Sequence, residues 1–157
     1  MTKFHLKIFL KAAYEMSLVF LQFLIISLHF FKWEFFPEKQ IIQVSPLSYL
    51  VGFLVIINSF IILLVAIKDL GRNLSPFPRP LNNSDLVTKG IYRFTRHPMY
   101  YSLIFISFGF FITKLSIYYL FLSISLFLIF KFKIALEEQY LKNKFKNYSI
   151  YKNEVKY

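Results

Sequence analysis

The chain has 157 residues, of which 57% are hydrophobic and 21% aromatic, and its formal net charge at pH 7 is +11. A soluble domain of this size is about half apolar, so the excess predicts that part of the surface faces lipid rather than water. The absence of cysteine excludes disulfides, thiolate nucleophiles and cysteine metal sites. The three histidines (His5, His29 and His97) lack the spacing of a metal-binding pair, so no metal centre is expected.

Four apolar segments predict an all-α integral membrane protein with about four transmembrane helices. The spans are expected at about residues 12–31, 47–67, 98–113 and 115–132. The second is the clearest, because an uncharged run of this length covers about 30 Å of hydrocarbon as a helix. The first follows a basic segment, as a signal peptide does, but its apolar run is too long and no small-residue cleavage site follows it.

The last two spans are predicted to form a hairpin. Residues 99–130 are one apolar run interrupted by a single charge, Lys114. As one helix this run would be about 48 Å long, which is too long for a single crossing. Two helices joined near residues 113–116 are therefore expected, with a partly re-entrant hairpin as the alternative. An amphipathic C-terminal helix is expected to follow, with Leu141, Phe145 and Tyr148 on a face that lies on the membrane surface.

The basic residues divide unequally between the two predicted sides of the membrane. The N-terminal segment, the loop 68–97 and the C-terminal tail carry all but three of the 19 lysines and arginines. The three on the other side are Lys32, Lys39 and Lys114. By the positive-inside rule, both termini and the loop 68–97 are expected in the cytoplasm. This topology accounts for the net charge without nucleic-acid binding, while Trp33 and Phe36 are expected to anchor the opposite loop at the interface.

Two groups of unusual residues flank the predicted hairpin on the cytoplasmic side. Before it, the segment 69–80 contains three prolines and predicts a stiff, non-helical strap. Pro98 is placed to begin the third span, with His97 near its N-cap, where free backbone N–H groups favour a carboxylate or a phosphate. After the hairpin, Glu137 and Glu138 form an adjacent acidic pair in a basic tail.

Each group also has a purely structural interpretation. His97 would cap the helix, and Arg93 and Arg96 would contact lipid phosphate instead of adding donors for a ligand. The glutamates would form i,i+4 pairs with Lys133 and Lys142, each worth about 0.3–0.5 kcal/mol. Because both ends of a hairpin emerge on the same side, the two groups are expected to lie close together. There they would suit a ligand that has a carboxylate and a cationic or hydroxyl-rich part.

An ordered set of motifs in this region resembles the isoprenylcysteine carboxyl methyltransferase family, whose wider group includes the membrane phospholipid N-methyltransferases. The likeness covers about residues 68–155. Its motifs are Leu70-Gly71-Arg72 with Ser75-Pro76, Leu86-Val87-Thr88-Lys89-Gly90-Ile91-Tyr92, Arg96-His97-Pro98-Met99-Tyr100, Glu137-Glu138-Gln139-Tyr140-Leu141, and Phe145 with Tyr148 to Tyr151.

The resemblance implies that S-adenosyl-L-methionine binds within residues 68–148 and that its methyl group passes to a lipophilic acceptor. The residues it assigns to the cofactor are Leu86, Val87 and Tyr92 around the nucleoside, His97, Pro98, Met99 and Tyr100 at the helix start, and Glu137 and Glu138 on the last helix. The family's acceptor-contacting arginine is replaced here by Lys133. Lysine keeps the charge but lacks the bidentate fork, so the acceptor stays open.

Methyl transfer to a carboxylate needs little acid–base help, which fits a sequence without a catalytic triad or a metal motif. An amine or phenol acceptor would need a base, for which Glu138 and Tyr100 are weak candidates. Two other functions fit the same sequence. One is a small membrane assembly protein without catalysis. The other is a reductase, because membrane sterol-type reductases resemble this hairpin and bind NADPH there, although its extra phosphates would demand more cationic contacts.

Overall fold

A computed structural model describes residues 3–31 and 39–155, and the regular structure of these residues is helical, as predicted. Trp33 and Phe36, the predicted interfacial anchors, lie outside the described residues. Short 3₁₀ turns follow the second helix and precede the third, at Gly71–Asn73 and Gly90–Arg93. The helices are α1 (Lys3–Leu28), α2 (Pro46–Leu70), α3 (Pro98–Lys114), α4 (Ile117–Lys144) and α5 (Tyr148–Glu154).

Three of the described helices, α1, α2 and α4, are long and apolar enough to cross a membrane. The 17 residues of α3 reach about 25 Å, which is less than the roughly 30 Å of a hydrocarbon core. The turn between α3 and α4 lies inside the predicted joint. Leu115 ends α3 in the left-handed conformation, with φ of 47°, and the Ser116 hydroxyl accepts a hydrogen bond from the amide of Tyr118 at the start of α4.

The region after the hairpin differs from the prediction in one respect. No glycine or proline interrupts α4, which continues to Lys144 before the chain turns into the short α5. The predicted membrane-surface face of Leu141, Phe145 and Tyr148 is wrong, because these side chains turn inward. Tyr148 is 1% exposed and packs with Tyr151, Leu141 and Phe145 in a small aromatic cluster. The spacing of these three residues along the chain is the same whether the face they form lies on a membrane surface or in the protein interior.

Small residues let α2 and α3 approach closely. Gly52, Ser59 and Ala66 recur at seven-residue spacing on the buried face of α2. A Cβ atom at Gly52 would lie 2.8 Å from the carbonyl oxygen of Gly109 on α3. Helix association in lipid depends on such close packing, because lipid chains are as apolar as the side chains they replace. Among the described residues, α1 packs along α4, whereas α1 and α2 make hardly any contact with each other.

The first helix presents a polar seam to the rest of the bundle. Glu15, Leu18, Gln22, Ile25 and His29 are each less than 10% exposed and recur with the spacing of a helical packing seam. Near the end of α1, His29 Nε2 lies 2.8 Å from the hydroxyl of Ser107, which lies 3.0 Å from the hydroxyl of Ser123. Polar groups at membrane depth require such partners, since lipid offers none.

We expect Gly52→Leu to lower the thermal unfolding midpoint in detergent. The Cβ atom of the new side chain would lie 2.8 Å from two backbone atoms of α3, the carbonyl oxygen of Gly109 and the amide nitrogen of Thr113. Backbone atoms cannot move aside cheaply, so the cost should be about 1–3 kcal/mol or more. The matched control is Val51→Leu, at a neighbouring position that is 42% exposed. Equal midpoints for the two variants would contradict the close approach of α2 and α3.

Candidate active site

A cavity lies at the end of the bundle where α3 begins; we call it the loop-end cavity. It contains about 800 Å³ of space between atoms, part of it open to solvent. Only about 100 Å³ of this space can be occupied by the centre of a water-sized molecule. Its walls come from five parts of the chain: the end of α2, the segment 73–87, the start of α3 with the turn before it, the last part of α4, and α5.

Most of the predicted site residues converge on this cavity. Those that line it are Leu86, Val87, Tyr92, His97, Met99, Tyr100 and Glu137. Pro98 is fully buried as the first residue of α3. Glu138 lies beside the cavity, where it bonds to residues of its wall. Lys133 is fully buried and does not belong to the lining residues.

The turn before α3 is held in place by the end of α2. Asp69 accepts a hydrogen bond from the amide of Ile91 at 2.8 Å. Gly90 has a φ of +61°, and a Cβ atom there would lie 2.0 Å from the Asp69 carboxylate, so both conformation and space require glycine. The hydroxyl of Tyr151 donates to the carbonyl of Tyr92 at 2.6 Å. Burial raises the pKa of the Tyr92 phenol well above its usual value, so this side chain stays neutral.

The start of α3 supplies backbone donors. The helical hydrogen bonds of α3 begin with the amide of Tyr101, which donates to the carbonyl of His97 at 3.2 Å. The amides of Met99 and Tyr100 come before this first bond and have no carbonyl partner within the helix. His97 occupies the N-cap of α3, as predicted, but its side chain makes no capping hydrogen bond, so the alternative in which it serves only as a cap is not supported. Its ring instead stacks on Tyr100, with 5.8 Å between centroids and 9° between planes.

Glu137 connects the last part of α4 to the start of α3. Its Oε2 accepts a hydrogen bond from the Tyr100 hydroxyl at 2.6 Å and lies 4.0 Å from His97 Nδ1. Its predicted i,i+4 partner, Lys133, turns to other groups. The Lys133 ammonium donates to the carbonyl of Pro76 at 2.8 Å and to the side-chain oxygen of Gln22. Glu137 therefore belongs to the cavity rather than to a surface ion pair.

Glu138 is the centre of an ion-pair network. Its Oε1 accepts from Arg96 Nε at 2.9 Å and lies 3.3 Å from His97 Nε2, and its Oε2 accepts from Lys152 at 2.5 Å. Within the described residues these contacts replace the predicted pair with Lys142. Both oxygens are engaged by cationic or imidazole groups, so Glu138 orients the residues around it.

Arg96 links α5 to the start of α3. In addition to Glu138, its guanidinium donates to the carbonyl of Val155 and, at 3.5 Å, to that of Lys152. Arg96 was predicted to offer hydrogen-bond donors to a ligand. In the structure its donors are already bonded to Glu138 and to backbone carbonyls of the protein. Arg93, the other predicted donor, is exposed, and its guanidinium lies over the ring of Phe94 at 4.5 Å.

Two parts of the wall were not assigned from the sequence. The proline-rich strap contributes Ser75, Phe77, Pro78, Arg79 and Pro80 to the lining, and the last helix contributes Tyr148 and Tyr151. The prolines predict stiffness but do not indicate a neighbour. The two tyrosines are one helical turn apart on α5, so they lie on the same, buried face of this helix. This spacing is a signal in the sequence that could have indicated an inward face.

Comparison with known proteins gives one result. The family model of phospholipid methyltransferases matches residues 47–148, nearly two thirds of the chain. The match begins at the first turn of α2 and ends at the first residue of α5, so it contains the cavity-lining residues except Tyr151 and leaves out α1. Neither a curated protein nor a solved structure matches the chain.

We expect Arg96→Met to release α5. The substitution keeps a long side chain but removes the guanidinium that bonds to Glu138 and to the carbonyls near Val155. Hydrogen exchange of residues 148–154 should accelerate roughly tenfold. Arg93→Met is the matched control, because this arginine contacts the ring of its neighbour Phe94. Equal exchange of α5 in the two variants would contradict the role of Arg96.

Proposed function

We propose, since the chain belongs to the phospholipid methyltransferase family, that it transfers a methyl group from S-adenosyl-L-methionine to a lipophilic acceptor in the membrane. One observation carries this proposal. Residues that lie some forty positions apart, at the start of α3 and on the last part of α4, meet at the loop-end cavity through the hydrogen bond from Tyr100 to Glu137. These residues belong to the motifs that resemble a methyltransferase site.

The chemistry of the lining fits this cofactor. The amides of Met99 and Tyr100 at the start of α3 suit the carboxylate of its methionine part. Glu137 suits its ribose hydroxyls or its amino group. The apolar side chains of Leu86 and Val87, with the neutral ring of Tyr92, suit the adenosine. The assignment of nine residues to the cofactor, including His97, Pro98 and Glu138, is part of this proposal.

When bound, S-adenosyl-L-methionine supplies a methyl carbon on a sulfonium, and the carbon–sulfur bond breaks as the acceptor atom bonds to that carbon, with the electron pair left on sulfur. The contribution of the protein is to fix the two partners in line and to exclude water. The rings of His97, Tyr100 and Phe130 stack in series on this side of the cavity, with 4.8 Å between the centroids of Tyr100 and Phe130.

We infer that the acceptor group is a carboxylate on an apolar chain, of the isoprenylcysteine type. An amine would have to lose a proton, and both sequence-based candidates for that task are occupied. Glu138 is bonded to Arg96 and Lys152, and the Tyr100 hydroxyl donates to Glu137. A phospholipid amine is the second candidate, which the family description favours. Lys133, the acceptor contact that the resemblance implies, is fully buried. Its ammonium, which lies 5.3 Å from the centre of the Tyr100 ring, is bonded to Pro76 and Gln22.

We also propose that the loop-end cavity faces the cytoplasm. The loop between α2 and α3 and the region after the hairpin carry most of the lysines and arginines, and the positive-inside rule puts such segments on the cytoplasmic side. The water-soluble cofactor would then enter from the cytosol and the lipophilic acceptor from the bilayer.

We expect His97→Ala and Glu137→Ala each to weaken binding of S-adenosyl-L-methionine tenfold or more, because each removes polar contacts worth roughly 1.5–3 kcal/mol to a charged group. Calorimetric titration of the purified protein in detergent measures this. Glu154→Ala, which removes an exposed carboxylate of α5, should leave the affinity unchanged. Unchanged affinity in both site variants would return the two residues to structural roles.

The same preparation distinguishes the other two functions. Thermal stabilisation by S-adenosyl-L-methionine or its demethylated product supports the methyltransferase. Stabilisation by NADPH alone would indicate a reductase, and stabilisation by neither would favour an assembly protein without catalysis.

A further inference from the structure

The prediction of a non-helical strap over residues 69–80 is wrong for its first part, because Asp69 and Leu70 belong to α2 and Gly71–Asn73 form a 3₁₀ turn. The strap is therefore residues 74–80, and side chains of neighbouring helices hold it to the bundle. Pro76, Pro78 and Pro80 have no amide hydrogen, so alternate residues of the strap cannot donate a backbone hydrogen bond. A segment of this kind stays in place only if neighbouring side chains hold it. The groups that hold it come from α1 and α4.

The first contact is at Arg79. Its guanidinium lies 3.2 Å from Glu15 Oε1 on α1, and the same carboxylate oxygen accepts a hydrogen bond from the Tyr140 hydroxyl on α4. Glu15 is 5% exposed, whereas the side chain of Arg79 is 55% exposed. The Glu15 carboxylate is therefore fixed between α1 and α4, and Arg79 attaches the strap to it.

Two further contacts lie on either side of the first. The Lys133 ammonium joins the carbonyl of Pro76 to the side-chain oxygen of Gln22, seven residues after Glu15 on α1. After the strap, Lys144 donates to the carbonyl of Asn82 at 3.0 Å and to the hydroxyl of Ser84 at 2.8 Å. The strap is thus attached at its start, its middle and beyond its end.

The strap, including Arg79, also forms a wall of the loop-end cavity. Phe77 and Pro78 line this cavity, and Pro78 is fully buried. The strap starts just after α2 and is attached to α1, so it bridges two helices that hardly touch each other in the described part of the chain. It therefore forms the wall of the cavity that is attached to α1.

We propose that Glu15 is a positioning residue for the methyl transfer, which holds the strap in place as the wall of the loop-end cavity on the side of α1. This inference rests on the proposed function for its effect on catalysis, but not for its effect on the strap. An ion pair with one half-exposed member contributes little on its own, so the hold depends also on the hydrogen bond from Tyr140, which fixes the Glu15 carboxylate beside Arg79. Glu15, which holds the strap, lies on α1 and therefore outside the residues matched by the family model.

The experiment measures the strap and the reaction in the same variants. We expect Glu15→Ala to accelerate hydrogen exchange of the amides in residues 74–84 roughly fivefold while exchange in α3 stays unchanged. Glu15→Gln keeps an oxygen that can accept from Arg79 and Tyr140, so it should restore part of the protection. Glu154→Ala is the control for the loss of a carboxylate. Exchange of the strap that is equal in Glu15→Ala and in this control would overturn the proposal.

For the reaction, the probe is methyl-labelled S-adenosyl-L-methionine with vesicles of total membrane lipid. We expect Glu15→Ala to raise the KM for the cofactor roughly fivefold with a smaller change in kcat, because a loosened wall weakens the site. Arg79→Ala should have the same effect in the native background and none in the Glu15→Ala background. Additive effects of the two substitutions would mean that they act separately and would overturn the proposal.

Two outcomes need a second measurement. If Glu15→Ala accelerates exchange throughout α3 as well, the variant has lost its fold, and Glu15→Gln is used instead. Faster exchange of the strap alone in Glu15→Gln then supports the proposal, and exchange equal to that of the native chain overturns it. If the native chain does not bind S-adenosyl-L-methionine, the proposed function fails. The hold of Glu15 on the strap is then judged by exchange alone, and unchanged exchange would overturn it.

Discussion

The contact between the start of α3 and the last part of α4 is the interaction on which the rest of the structure depends. The left-handed Leu115 ends α3 and reverses the chain, so that α4 returns to the end of the bundle where α3 began. There the Tyr100 hydroxyl bonds to Glu137. Because α4 runs on to Lys144 without a break, its glutamates extend beyond the apolar part of the helix and meet the loop between α2 and α3.

Each remaining wall of the cavity is held in place by a polar group that bonds to a partner on another part of the chain. Glu138 holds Arg96, which in turn holds the carbonyls at the end of α5. Asp69 holds the turn that presents Tyr92. On the far side, Glu15 and the Gln22–Lys133 pair hold the strap. Buried polar groups need hydrogen-bond partners, so the same requirement that fixes the helices also shapes the site.

The convergence of His97 and Glu137 could be predicted from the sequence, because a hairpin brings its two ends to one side of a membrane. The inward face of Leu141, Phe145 and Tyr148 could not, because amphipathic spacing is the same for a face on lipid and a face on a cavity. The strap was predicted as stiff, but three prolines do not say which helix lies beside them. Glu15, Gln22 and His29 recur every seven residues in an apolar helix, a signal of partners elsewhere in the bundle.

The central claim is that the cavity brings a methyl donor to an acceptor held in lipid. The most direct measurement reconstitutes the purified chain in vesicles of total membrane lipid, adds methyl-labelled S-adenosyl-L-methionine, and identifies the lipid-soluble molecule that gains the label. We expect label in a lipophilic molecule with the native chain and a large loss of it with Glu137→Ala. Binding of the cofactor without label in any lipid-soluble molecule would contradict the claim.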